Sequence, residues 1–238
     1  MRDRDEDLTE VTVYSNNPWL LENASPLFEP IFQNAPVETF DGRSEQFFGA
    51  APYVWWIEEG LIATYASCPG IPNLMMGLLG RHSLLGAFKA ITHRDRITPL
   101  TTKVLLTARA RRVSASAFRT YLEKDEQLAG KVLPNLLRLH ENQMEGLLLN
   151  DLLPVDVRLA RMVETLYRAA GGRLSAELTM MPVPVTVLDL AEMVHADRAF
   201  VSRILSQWAA HGLFARNGRR LSFAAGILDE VGRPANAG

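Results

Sequence analysis

The sequence predicts an α+β fold in three parts: an N-terminal antiparallel β jelly-roll barrel, one long central helix, and a C-terminal helix-turn-helix followed by a β-hairpin wing. Three observations lead to this prediction. Short runs rich in aromatic and β-branched residues, separated by Gly, Pro and Asn, occupy residues 37–113. Apolar residues then recur every three or four positions from Leu133 to Leu147. Two capped helices and a hairpin turn follow between Thr186 and Phe223.

Length and composition support two modest domains, because the chain has 238 residues and is 47% hydrophobic. We place the barrel in residues 1–115, a crossing segment and the long helix in 116–153, and the C-terminal domain in 154–238. No apolar run approaches the ~18 residues of a membrane span, and the charged first ten residues do not resemble a signal peptide. We therefore expect a cytoplasmic protein with no membrane partner.

The single cysteine, Cys68, excludes an internal disulfide and any cysteine-ligated zinc or iron–sulfur site within one chain. We expect no metal site.

In the N-terminal part, short strands are predicted at residues 53–57, 61–65 and 102–106. Trp55 and Trp56 are adjacent, so they point to opposite faces of their strand. One is expected to pack in the barrel, and the other either packs as well or lines a ligand cavity.

The long helix has an apolar seam at Leu133, Leu137, His140, Met144 and Leu147, with spacings of 4, 3, 4 and 3. This spacing is typical of a coiled coil, so the helix of about 20 residues is predicted to dimerise. Pro134 fits its first turn, where a missing N–H costs nothing. His140 in this seam either sets register or senses pH, or has no role.

In the C-terminal part, Thr186 and Asp189 have the spacing of a capping box, and Asp197 can cap a second helix. That second helix turns Val201, Ile204, Leu205 and Trp208 inward. It leaves Arg198, Ala199, Ser202 and Arg203 as one exposed stripe. Two arginines on the exposed first turns of a helix suit a guanine edge and its flanking phosphates, so double-stranded DNA is the expected partner.

The hairpin that follows is predicted to turn at Asn217-Gly218 in a two-residue type I′ turn, with Arg216, Arg219 and Arg220 at its tip. A second short hairpin is predicted in residues 174–185. Residues 154–238 carry 10 Arg against 8 Asp+Glu, whereas residues 1–153 carry 15 Lys+Arg against 19 Asp+Glu. A slightly basic end on an acidic body suits a protein that meets DNA by one module.

The pattern Leu190-Ala191 followed by Arg198-Ala199-Phe200-Val201-Ser202-Arg203-Ile204-Leu205 resembles the Crp/Fnr transcription regulators. Residues 155–161 also resemble the family, at the point where its DNA-binding domain begins. The resemblance implies a homodimer that binds an inverted-repeat site, RNA polymerase as a partner, and an N-terminal sensor for a small-molecule effector.

The expected DNA contacts fall on the two helices and the wing: Thr186, Asp197, Arg198, Phe200, Ser202, Arg203, Arg216, Arg219 and Arg220. Arg198 and Arg203 are expected to read guanines, and Phe200 a thymine methyl. The backbone amide of Thr186 is expected to bind a phosphate. Ala199 stands where the family's catabolite activator has a glutamate, which predicts a half-site altered at that base pair.

The family's cyclic-nucleotide site has a Gly-Glu pair for the ribose and an Arg-Ser/Thr pair for the phosphate. Here Leu84-Leu85-Gly86-Ala87 has alanine in place of the glutamate, and Pro99-Leu100-Thr101 lies about where the arginine belongs. Because a buried cyclic phosphate needs charge-assisted hydrogen bonds, cyclic AMP is not the expected ligand. Arg94 or Arg96 can substitute in principle, or they lie in a solvated loop.

Three hypotheses remain for the sensor. A small organic effector binds between barrel and long helix, near Trp55, Trp56, His140 and Met144. Alternatively, a haem uses His82, His93 or His140 as an axial ligand and the protein senses a gas. In the third hypothesis the barrel is vestigial, and activity follows protein abundance or the redox state of Cys68.

Other classes of function are weaker on the sequence. The chain has no Gly-rich phosphate loop, no Gly-x-Ser-x-Gly elbow, no His/Glu metal signature and no paired carboxylates at catalytic spacing, so we do not expect an enzyme. A dimeric module whose helix-turn-helix binds protein is a further alternative. Salt dependence separates it from DNA binding.

Overall fold

A computed structural model of the chain describes residues 18–42, 45–46, 53–68, 71–92, 100–124 and 126–231. The α+β fold class predicted from the sequence is confirmed: a β-sheet lies in the N-terminal half, a long helix follows, and the C-terminal part is a helix-turn-helix with a small sheet. No helix in these ranges is both long and apolar enough to span a membrane.

The strands are β1 (Leu20–Leu21), β2 (Val37–Phe40), β3 (Glu45–Gln46), β4 (Tyr53–Cys68), β5 (Ile71–Leu79), β6 (Leu84–Leu85), β7 (Leu100–Ser114), β8 (Thr179–Met180), β9 (Phe214–Asn217) and β10 (Arg220–Phe223). The helices are α1 (Glu29–Phe32), α2 (Ala87–Thr92), α3 (Ala115–Glu123), α4 (Glu126–Leu152), α5 (Val155–Ala169), α6 (Val187–Met193), α7 (Arg198–Ala210) and α8 (Ile227–Glu230). A 3₁₀ turn, Pro26–Phe28, precedes α1.

The N-terminal sheet is built on one long antiparallel pair, β4 with β7, in the order β1-β5-β4-β7-β2, with β3 paired to β7 and β6 to β4. The short strands predicted at 53–57 and 61–65 are therefore one strand of 16 residues. Gly60 joins them with a φ of +101°, and a Cβ there would lie 2.4 Å from the Cα of Ala108. Register shifts on both sides of Glu59 show that the glycine marks an irregularity in a continuous strand, not a turn.

Helix α4 has 27 residues, more than the roughly 20 predicted, and it begins at Glu126. Pro134 therefore lies inside the helix, which corrects its predicted place in the first turn. A proline loses the hydrogen bond to the carbonyl four residues earlier. That carbonyl belongs to Gly130, which is exposed and has no neighbour that a Cβ would meet, so water can reach it.

One face of α4 packs on the sheet through Val132, Leu136, Leu139 and Leu149, all buried. Close packing requires Gly146, because a Cβ there would lie 2.3 Å from the indole of Trp19. The opposite face is solvent-exposed in this chain.

The C-terminal part packs α5, α6 and α7 against a three-stranded sheet in the order β8-β10-β9. The hairpin predicted in residues 174–185 is wrong: Thr179–Met180 pairs with Ser222–Phe223 instead. Pro182 and Pro184 have no N–H to donate, which explains why residues 181–185 do not form the second strand of a hairpin.

Candidate DNA-binding surface

Helix α6 begins with the predicted capping box. The Asp189 amide donates to Thr186 Oγ1 over 3.2 Å, and the Thr186 amide donates to Asp189 Oδ2 over 2.7 Å. This second bond corrects one prediction: the Thr186 amide is engaged by Asp189, so it is not available to a phosphate. The box fixes where α6 starts, and Thr186 itself remains exposed.

The turn between α6 and α7 is made by His195, whose φ of +49° is in the left-handed region. Asp197 then caps α7, with its Oδ1 accepting from the Ala199 amide at 2.7 Å and the Phe200 amide at 3.4 Å. Among the residues predicted to contact DNA, Asp197 thus has a structural role in starting the helix. At the other end, Gly212 with a φ of +72° ends α7 as predicted.

The two faces of α7 are arranged as the spacing predicts. Val201, Ile204, Leu205 and Trp208 are buried. The exposed side carries Arg198, Ala199, Phe200, Ser202 and Arg203. This face is therefore presented outward by a helix whose other face is fixed in the core.

On that face, the guanidinium of Arg203 lies over the ring of Phe200, with Cζ 5.1 Å from the ring centroid. Phe200 is 42% exposed. The two residues are three positions apart in the sequence, so both side chains share one side of α7.

The wing turns one residue later than predicted. Asn217 pairs with Arg220, so the two loop residues are Gly218 and Arg219, not Asn217 and Gly218. Gly218 has a φ of +60°, and neither Asn217 nor Arg219 has a positive φ. A glycine alone at the first loop position fits a type II′ turn, whereas type I′ needs two positive φ angles.

The arginines of the wing are exposed, and Arg216 is fixed by a bond from its Nε to the Gly218 carbonyl over 2.8 Å. A cleft of about 330 Å³ lies where the wing meets the starts of α6 and α7. Its lining residues are Thr186, Val187, Leu188, Arg198, Arg216, Arg219 and Leu221. Three guanidinium groups around one open cleft favour an anionic partner, and this cleft brings the first helical arginine together with the wing.

The four candidate effector residues do not gather in one pocket. Trp56 is buried between Phe32 and His82, with ring centroids 5.7 and 5.3 Å away, beside a cleft of about 500 Å³. Trp55 is buried on the other face of β4, with its ring 5.6 Å from that of Phe40.

His140 and Met144 instead lie on the exposed face of α4, where the imidazole is 5.4 Å from the ring of Phe88. The four predicted residues therefore lie in three places: one on each face of β4 and two on the exposed face of α4.

At the position of the family's cyclic-nucleotide site, Gly86 has a φ of +90° and Ala87 is buried at the start of α2. Thr101 lies in β7, with its hydroxyl 3.0 Å from that of Ser67. His93, Arg94, Arg96 and Pro99 lie outside the described residues, and so does the side chain of Cys68.

Sequence reasoning missed the contact between α6 and the N-terminal sheet. Lys103 on β7 forms an ion pair with Asp189, the residue that completes the capping box. Asn150 on α4 donates from Nδ2 to the Met193 carbonyl over 3.1 Å. Lys103 and Asp189 are 86 residues apart in sequence, so no local pattern could have paired them.

Comparison with known proteins matches residues 157–225 to the Crp-like helix-turn-helix domain. Among curated proteins the sequence finds no match. The chain is similar to CLP, the c-di-GMP-responsive global regulator of Xanthomonas campestris, with a TM-score of 0.67 and 16% identity over 83% of this chain and 98% of that one.

FixK2 from Bradyrhizobium japonicum gives a TM-score of 0.63 at 18% identity, over 85% of this chain and 99% of that one. A Crp/Fnr-family transcriptional regulator from Thermus thermophilus gives 0.64 at 14% identity, over 84% and 100%.

Proposed function

We propose that the chain is a sequence-specific transcription regulator that binds DNA as a homodimer. The proposal is supported by its Crp-like helix-turn-helix domain and by its fold, which is that of Crp/Fnr regulators. The observation that carries the proposal is the surface shared by α7 and the wing. The exposed face of α7 supplies Arg198, Ser202 and Arg203, and the wing adds Arg216, Arg219 and Arg220 beside it.

The roles on this surface follow from the chemistry of the duplex. With α7 in the major groove, Arg198 and Arg203 read guanines, each contributing about 1–3 kcal/mol of discrimination. Ser202 binds a base edge or a phosphate, and Phe200 contacts a thymine methyl. The wing arginines neutralise phosphates without reading sequence, and two of them, Arg216 and Arg219, do so from the cleft beside Thr186. Ala199 cannot accept a hydrogen bond from cytosine, so the half-site is altered at that base pair.

Dimerisation is supported by the outer face of α4. Leu133 and Leu137 are 54% and 49% exposed, and the predicted seam continues through His140 and Met144, also exposed. A helix whose two faces are both apolar needs a second partner, and a two-fold copy of itself provides one. Two recognition helices about 34 Å apart then bind an inverted repeat.

The dimer is tested by Leu137→Glu, which places a charge in the seam. We expect light scattering to give the mass of a monomer for this variant and of a dimer for the wild-type protein. Leu27→Glu changes a comparably exposed leucine on the 3₁₀ turn and should remain dimeric. A Leu137→Glu protein that remained dimeric would contradict the proposal that α4 forms the dimer interface.

For the sensor, we propose that cyclic AMP is not the effector. The cleft between sheet and α4 is mostly apolar, with Leu84, Leu85, Leu136 and Leu139 in its wall. No arginine or lysine is among the described residues that line it, and a buried phosphate needs such a partner. RNA polymerase as a partner follows from the family resemblance, and a cytoplasmic location follows from the DNA partner.

Two alternatives have direct tests. A haem-containing gas sensor would show Soret absorbance in the purified protein, with His82 or His140 as the described candidate ligands. A protein-binding module without DNA activity would lack the steep salt dependence of counterion release. We favour neither alternative and propose no enzymatic activity.

The central experiment is selection of bound sites from a pool of random duplexes. We expect enrichment of an inverted repeat that differs from the classical activator motif, with affinity falling steeply as salt rises. Enrichment of no repeat, or of the unchanged activator motif, would contradict the proposal.

A further inference from the structure

An exposed aromatic ring on the polar face of α7 calls for a physical reason. Phe200 is 42% exposed, and it does not fill the core, because Val201, Ile204 and Leu205 already do so from the other side of the helix. Exposed apolar groups on a helix surface are ordinary singly, but this one is covered by a cation. The guanidinium of Arg203 lies 5.1 Å from the centre of the ring.

Arg203 also differs from five arginines that form ion pairs with glutamates, namely Arg109, Arg111, Arg112, Arg161 and Arg168. Within the described parts of the chain, Arg203 has no carboxylate within ion-pair distance, and its contact is the Phe200 ring. An exposed cation–π contact is weak, but it restricts the side chain to fewer rotamers. The guanidinium is thus held in place without having its N–H donors occupied.

The environment of Arg198 is different, because this residue lies in the cleft with Arg216 and Arg219. Arg203 and Phe200 are not among the residues that line this cleft. The two arginines of α7 therefore have different neighbours. Arg198 lies beside the cationic side chains of the wing, and Arg203 lies beside the apolar ring of Phe200.

We propose that Phe200 and Arg203 act as one reading unit for a two-base step, an inference that rests on the proposed function above. Arg203 donates two hydrogen bonds to the O6 and N7 of a guanine, and the edge of the Phe200 ring contacts the C5-methyl group of a neighbouring pyrimidine. The C5-methyl is the apolar group that the major groove presents, and the cation–π contact sets the ring beside the guanidinium. Phe200 is thereby both a methyl contact and a positioning residue for Arg203.

The methyl contact is tested on the duplex selected by the wild-type protein. Each thymine of the half-site is replaced in turn by deoxyuridine, which removes only the methyl group. We expect one position, next to a guanine, at which the replacement weakens binding about fourfold per half-site, as burial of one methyl predicts. Phe200→Ala should bind the two duplexes equally, whereas Phe200→Tyr, which keeps the ring, should retain the difference.

The positioning role is tested at the guanine. Phe200→Ala should reduce discrimination between the guanine and adenine at that position, and Phe200→Tyr should restore it. A merely structural role would lower affinity for both bases equally. Gln207→Ala, an exposed residue further along α7, is the matched control and should leave both profiles unchanged.

The outcomes separate this inference from the proposal beneath it. The wild-type protein could enrich an inverted repeat while Phe200→Ala keeps the same thymine and guanine profiles. In that case the proposed joint reading by Phe200 and Arg203 is wrong, and the proposed function as a transcription regulator is unaffected. If the wild-type protein enriches no repeat, both are wrong. Unchanged thermal unfolding of the variants confirms that the surface substitution leaves the fold intact.

Discussion

His195 makes the turn between α6 and α7 and is also a half-buried titratable group. Its left-handed backbone connects α6 to α7, and its half-buried side chain lies near the backbone of Met75 in β5. Burial is the main cause that lowers the pKa of its imidazole below 6.5, and the positive charge of Arg158 lowers it further. The negative charge of Asp151 and a hydrogen bond with the Met75 backbone raise the pKa, but by less.

Stability should therefore fall as the pH drops below about 6.5. The unfolded imidazole binds a proton there while the folded one, with its lowered pKa, does not, so protonation favours unfolding. His195→Asn removes the proton site, and asparagine tolerates the left-handed turn. Urea unfolding at about pH 7.5 and about pH 5.5 should show a smaller loss for the variant than for the wild-type protein. An equal loss of unfolding free energy in the variant and the wild-type protein would mean that groups other than His195 cause the pH dependence.

The cap of α7 gives a second prediction. Asp197→Ala leaves the Ala199 and Phe200 amides without their acceptor and should lower the free energy of unfolding by about 1 kcal/mol. Asp197→Asn keeps an acceptor and should stay close to wild type in the same urea titration. Equal destabilisation of both would mean that the carboxylate charge, not the cap, is what matters.

At the scale of elements, helix α4 combines a buried face with an exposed apolar one and carries a proline in its interior. Pro134 removes one backbone hydrogen bond and forces its ring against the preceding turn. The helix tolerates it where the affected carbonyl, that of Gly130, is exposed to water.

Pro134→Ala should restore that bond and raise the free energy of unfolding by about 1–2 kcal/mol, the gain being reduced because proline also stiffens the unfolded chain. Lys131→Ala, an exposed change one turn earlier, is the control and should have little effect. Urea titration measures both. A loss of stability in Pro134→Ala would mean that the proline supports the native helix.

The sequence predicted the elements of the helix-turn-helix well because local rules govern them. Caps at Thr186 and Asp197 and the spacing of Val201, Ile204 and Leu205 fixed the helices and their exposed faces. The wing turn moved by one residue because Asn217 and Gly218 allow two registers, and the pairing of β10 with β9 and β8 selects between them. Long-range pairing also explains why residues 174–185 do not form a hairpin, because Thr179–Met180 pairs with Ser222–Phe223.

At the scale of the whole molecule, the helix-turn-helix shares a core with the N-terminal sheet. Met75 and Leu78 of β5 belong to the same buried cluster as Leu190 and Met193 of α6. Burial, with Glu192 and Asp189 nearby, also raises the pKa of the Tyr65 hydroxyl at this contact. The effector residues could not be predicted from sequence for the same reason: which side chains meet depends on how the two halves pack.

Lys103→Met should loosen α6 by removing its ion pair with Asp189. Asp189 keeps its bonds to Thr186, so the helix remains formed but less well held on the sheet. We expect faster hydrogen exchange in residues 187–193 and unchanged exchange in α3. Lys131→Met, on the outside of α4, should leave both segments as in the wild-type protein. Unchanged exchange in α6 would show that apolar packing alone holds it.

The most direct test of the account is the affinity of the protein for its selected duplex when the two exposed arginines of α7 are removed. For the Arg198→Ala/Arg203→Ala protein we expect a loss of about 30-fold or more, together with loss of discrimination at two base pairs of each half-site. Arg173→Ala removes an exposed charge elsewhere in the domain and should change affinity by less than about threefold. Wild-type affinity and unchanged base preference in the double variant would contradict the assignment of this helix as the reader of the DNA.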